Sequence, residues 1–116
     1  MNTVMLIGRL TADPEARESQ NGTVASFTLA VDRQKDEADF IRCVAFGKTA
    51  ENVMKYTGKG LRVAVQGSIR TGSYTNKNGD KVYTTDVNAF RVKFLDWKEK
   101  QEQAASFEEV TEDLPF

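Results

Sequence analysis

Apolar and polar positions alternate through much of the chain with the two-residue period of a β-strand. From Asn2 to Leu10, one face carries Val4, Leu6, Gly8 and Leu10, and the other carries Met5 and Ile7, followed by Arg9. Thr11 to Gly22 is polar, contains Asp13-Pro14-Glu15 and ends on Asn21-Gly22, which reads as a loop closed by a tight turn. A second strand runs from Thr23 to Arg33, with Ala25, Phe27, Leu29 and Val31 inward and Ser26, Thr28 and Asp32 outward. A short charged turn, Gln34 to Ala38, leads to the central stretch, Asp39 to Lys48. There Ile41, Cys43 and Ala45 point one way, and Phe40, Arg42, Val44 and Phe46 the other.

The only predicted helix is Thr49 to Tyr56, with Thr49 as N-cap, Glu51 in the first turn, Ala50 and Val53 as anchors, and Gly58 and Gly60 beyond its end. Leu61 to Tyr74 is a long strand with Leu61, Val63, Val65 and Ile69 inward and Arg62, Gln66, Ser68, Arg70 and Tyr74 outward. Asn78-Gly79 marks a hairpin turn. In the returning strand, Lys81 to Leu95, the apolar set changes phase. Tyr83, Val87 and Ala89 have odd parity, and Phe90, Val92 and Phe94 even, which predicts a β-bulge near Asn88–Ala89. Five strands with one short helix between the third and fourth is the element order of an all-β OB-fold barrel. Residues 1–96 form that domain, and residues 97–116, without a core pattern, read as a disordered acidic tail. Trp97 has two open placements, as a cap on the barrel end or against a neighbouring subunit.

Charge changes the picture. The net −1 of the 116 residues conceals a segregation: residues 1–95 hold 14 Lys and Arg against 10 Asp and Glu, and residues 96–116 hold 2 against 7. The body is therefore +4 and the tail −5, a different object from a uniformly acidic protein. No apolar run approaches the ~20 residues needed to span a bilayer. The N-terminus lacks a signal-peptide pattern. One cysteine cannot form an internal disulfide, so a reducing, cytoplasmic setting is expected, with Cys43 as a small core residue.

The chemistry sits on the outward face of the central strand, where Arg42 lies between Phe40 and Phe46. Rings interleaved with a cation suit unpaired bases on their phosphate backbone. The same residues also fit a strand buried on both sides with Arg42 escaping at an edge. Tyr74 adds a third outward ring. Arg33, Lys35, Arg42, Lys48, Arg62, Arg70, Lys77 and Lys81 are the candidate phosphate contacts. Val4, Met5, Leu6 and Ile7 are apolar on both faces and fit either a subunit interface or a central barrel strand. The tail ends in Glu112, Asp113, Leu114, Pro115 and Phe116, which fits a partner-docking peptide or chance. No catalytic residue, metal ligand or cofactor is expected. There is no histidine, and Gly47-Lys48-Thr49 fails as a P-loop end because that motif needs glycine where Arg42 stands.

With these residues assembled, the chain resembles the bacterial single-stranded DNA-binding protein family. The resemblance is carried by Asn2 to Thr11 with Asp13-Pro14-Glu15, by Asp39 to Asn52, by Gly67 to Thr71 with Tyr74, by Tyr83 to Val87, and by Asp113 to Phe116. It implies base stacking on Phe40, Phe46 and Tyr74, a homotetramer, and a tip that recruits replication, recombination and repair proteins. It also implies a place at the nucleoid or replication fork and no enzymatic activity. It departs from many members in the turn Arg33 to Glu37, which carries no aromatic and places Lys35 nearest that position. The alternative is an OB module for another ligand, such as RNA, an oligosaccharide or a protein.

Overall fold

The computed structural model describes residues 1–96. The elements are β1 (Val4–Leu10), β2 (Glu15–Ser19), β3 (Gly22–Asp32), β4 (Ala38–Phe46), α1 (Gly47–Tyr56), β5 (Arg62–Thr75) and β6 (Lys81–Phe94). The strand order is β1-β5-β6-β4-β3-β2, and a further β1–β3 pairing closes the barrel. All pairings are antiparallel except β4–β6, where Cys43, Val44 and Ala45 run parallel to Val87, Asn88 and Ala89. This is the expected all-β OB barrel with one helix.

The inward faces follow the alternation. Ala25, Phe27 and Leu29 of β3, Cys43 and Ala45 of β4, Val63 and Val65 of β5, and Val87 and Ala89 of β6 are buried together. Helix α1 plugs one opening with Ala50 and Val53, and Tyr56 sets its ring 5.6 Å from that of Phe94. The closure of β1 on β3 requires Gly8: a Cβ there would stand 2.6 Å from the Ala30 carbonyl oxygen.

Several expectations are corrected. The polar segment Thr11–Gly22 contains a sixth strand, β2, which pairs with β3 along its whole length. The turn falls on Gln20-Asn21, with Gly22 following at φ 111°. The helix begins at Gly47, not Thr49; Phe46 occupies the N-cap position without a side-chain cap, and no acid lies in the first turn. Tyr83 and Ile69 are exposed because β5 and β6 continue beyond the barrel as a two-stranded arm. Phe90 is exposed as well. It is the extra residue of the bulge, for Gly67 pairs with Ala89 and Gln66 with Arg91. The bulge thus lies one residue beyond the expected place. Among the described residues, no helix is long and apolar enough to cross a membrane.

Candidate nucleic-acid interface

β4 lies between β3 and β6, and its alternation decides which side chains reach the surface. Phe40 and Phe46 are 70% and 50% exposed, so the doubly buried reading of this strand is excluded. Arg42 and Val44 lie between them on the same face. The cross-strand register extends that face. Val44 is level with Asn88 of β6, Asn88 pairs with Ser68 of β5, and two residues further Asp86 pairs with Arg70. Tyr74, paired with Val82, continues the same parity along the arm and is 56% exposed. All three predicted stacking residues therefore share one continuous outward surface.

The cations divide into two groups. Arg42, Arg70 and Lys48, which follows Phe46 by two residues, are exposed on or beside that surface. Arg42 reaches Asp86, with Nη1 to Oδ2 at 3.6 Å. Lys35 is exposed in the β3–β4 loop, where it shares an open recess with Phe40 and the acids Asp32, Asp36 and Glu37. Lys77 is exposed in the arm's turn. Lys81 turns to the arm's opposite side and lies 5.5 Å from the centre of the Tyr83 ring. Two arginines are held by carboxylates. Arg33 donates to Asp39 from Nη2 at 2.7 Å and to Glu37 from Nη1 at 3.3 Å. The hydrogen bond and charge of Asp39 raise the Arg33 pKa above its ordinary value, with a smaller contribution from Glu37. Arg62 donates to Asp96 from Nε at 2.9 Å and from Nη2 at 3.3 Å, and its pKa is raised for the same reason.

The unforeseen strand β2 adds a wall. Arg17 pairs with Val24, and Val24 with Phe46; Glu15 pairs with Ser26, and Ser26 with Val44. Glu15, Arg17, Val24, Ser26, Arg42 and Val44 together line a cleft of about 220 Å³. Arg17 is thus a cation of this surface that sequence reasoning missed. The signal was present in the Asn21-Gly22 dipeptide beside a strand, which is as much a hairpin mark as a loop mark.

Around β1 the surface is different. Met5 and Ile7 are 74% and 61% exposed, while Val4 and Leu6 are half-buried against the core. With Ala64 and Gln66 of β5, the two outward residues border an apolar cleft of about 300 Å³. The tip residues Glu112, Asp113, Leu114, Pro115 and Phe116, and Trp97, lie outside the described residues.

The single-strand binding protein family model matches residues 1–95. A single-stranded DNA-binding protein of Clostridium perfringens is 58% identical over 100 residues, covering 83% of this chain and 67% of its own length. Its counterpart in Halalkalibacterium halodurans is 48% identical over 113 residues, covering 91% of this chain and 67% of its own. A third, from Clostridium tetani, is 49% identical over 108 residues, covering 87% of this chain and 74% of its own.

Proposed function

The chain belongs to the single-strand binding protein family, and from that premise we propose that it binds and protects single-stranded DNA without regard to sequence during replication, recombination and repair. The observation that carries this reading is the shared exposed surface of Phe40, Phe46 and Tyr74, with Arg42 and Arg70 among them. Bases stack on the three rings, each worth ~1–3 kcal/mol, and any base serves because every base has a π-face. Phosphates meet Arg42, Arg70, Lys48 and Arg17, and each contact releases counterions, so affinity falls with salt. Duplex is refused because its bases are already stacked on one another. Binding is stoichiometric and no bond is broken. Titration of an oligo-dT tests the stacking: the double variant Phe40→Ala/Tyr74→Ala binds more than tenfold more weakly, and unchanged affinity would remove the model.

The apolar Met5 and Ile7 support self-association through β1, as a homotetramer. Light scattering of Ile7→Lys tests this, with a smaller particle expected and an unchanged mass counting against it. The terminal Glu112 to Phe116 is the docking segment for partner proteins. Its removal abolishes partner recruitment and, by taking negative charge from beside a basic body, tightens DNA binding at low salt. If truncation alters neither, the segment has no docking role.

A further inference from the structure

Phe90 is an apolar ring, 59% exposed, at the one place where β6 breaks its alternation. The parallel β4–β6 pairing ends on Ala45 and Ala89, and the next residue on each strand is a phenylalanine, Phe46 and Phe90. Adjacent strands lie about 4.8 Å apart. Before the bulge the outward residues of β6 are Asp86 and Asn88, level with Arg42 and Val44. Phe90 continues that row, as Phe46 continues its own. After the bulge the parity inverts, and Arg91 and Lys93 face out beside Met5 and Ile7. The bulge therefore leaves two consecutive outward side chains, Phe90 ending the ring-bearing surface and Arg91 opening the apolar one. Bulges re-aim side chains in this way at binding surfaces.

We propose that Phe90 is a fourth base-stacking residue, receiving the nucleotide that follows the one on Phe46 as the strand leaves the β4 face across the bulge. This rests on the single-stranded DNA reading above and extends the path by one strand. Arg91 is placed to meet the phosphate on that step.

The test uses the full-length protein and an oligo-dT of about 35 nucleotides carrying scattered 5-iodouracil. Ultraviolet cross-linking and peptide mapping of the unaltered protein should find Phe90 among the linked residues. Phe90→Ala should weaken binding about fivefold or more, with particle mass by light scattering unchanged. Absence of a cross-link at Phe90 together with wild-type affinity of Phe90→Ala, while Phe46→Ala still weakens binding, would overturn the inference and leave the proposed function standing. A change of mass in Phe90→Ala would overturn it too, by making the ring a subunit contact. If Phe46→Ala also binds normally, the proposed stacking surface itself fails.

Discussion

Arg42 and Asp86 face each other across the parallel junction of β4 and β6, with Nη1 of the one 3.6 Å from Oδ2 of the other. Arg70 lies opposite Asp86 in the β5–β6 register, on its other side. A carboxylate thus sits between two arginines in the middle of the ring-bearing surface. A partly exposed pair at this separation adds little to stability, but a phosphate approaching Arg42 must displace it. Asp86→Asn should therefore bind oligo-dT several-fold more tightly at low salt. It should also steepen the decline of log K with log salt by about 0.7, the increment for one further phosphate contact on a single strand. A titration series at several salt concentrations decides it. Equal or weaker binding would show that Asp86 positions the arginines instead of competing for them.

The barrel closure gives a sharper stability test. Gly8 has no room for a Cβ against the Ala30 carbonyl, and Gly67 none against the Asn88 carbonyl at the bulge. Gly8→Ala and Gly67→Ala should each lose about 1–3 kcal/mol, the usual cost of overpacking. Gly79, at φ 86° in the arm's turn with open space around it, should be strained by alanine through its backbone alone. Urea denaturation of the variants measures these differences. Wild-type midpoints for the first two would mean that β1 and β5 shift more easily than the closure implies.

Thr57 follows α1 and is fully buried, yet among the described residues its Oγ1 has no hydrogen-bond partner. An unsatisfied buried hydroxyl costs roughly 1–3 kcal/mol. Thr57→Val keeps the shape and removes the orphan, so thermal melting should move upward. A fall would reveal a partner for this hydroxyl.

Burial pushes the Cys43 thiol from an ordinary 9.0 up to about 12, and the charge of Asp86 adds to the shift. The protonated form is the one the fold retains. Between pH 9 and 12 the unfolded chain loses this proton while the folded one keeps it, so stability is full below 9 and declines as pH rises. Cys43→Ala should remove that component of the alkaline decline, read as a smaller drop in the urea midpoint between pH 8 and 10.5. An equal drop in both proteins would place the titration elsewhere. In the native protein, disulfide-exchange reagents should label Cys43 only as fast as the barrel opens.

Alternation along Asp39–Phe46 was enough to say which side chains share a face, because a strand turns successive residues to opposite sides. The phase change in β6 revealed its bulge within one residue for the same reason. The helix was visible from the glycines beyond its end and from Ala50 and Val53, though its start was not, since Gly47 enters it without a capping side chain. Whether a face is covered is another matter. Tyr83 and Ile69 keep the parity expected of them, but β5 and β6 run past the barrel there, and both side chains are left exposed. β2 escaped because all five of its residues are exposed, and a strand that buries nothing leaves no apolar rhythm. Its place comes from backbone pairing with β3, joined by Thr23 Oγ1 donating to the Glu18 carboxylate, and with it comes Arg17. Likewise Arg62 is engaged by Asp96, 34 residues away. Local order along a chain specifies periodicity; distance in space decides which charges are already neutralised and which rings are left facing solvent.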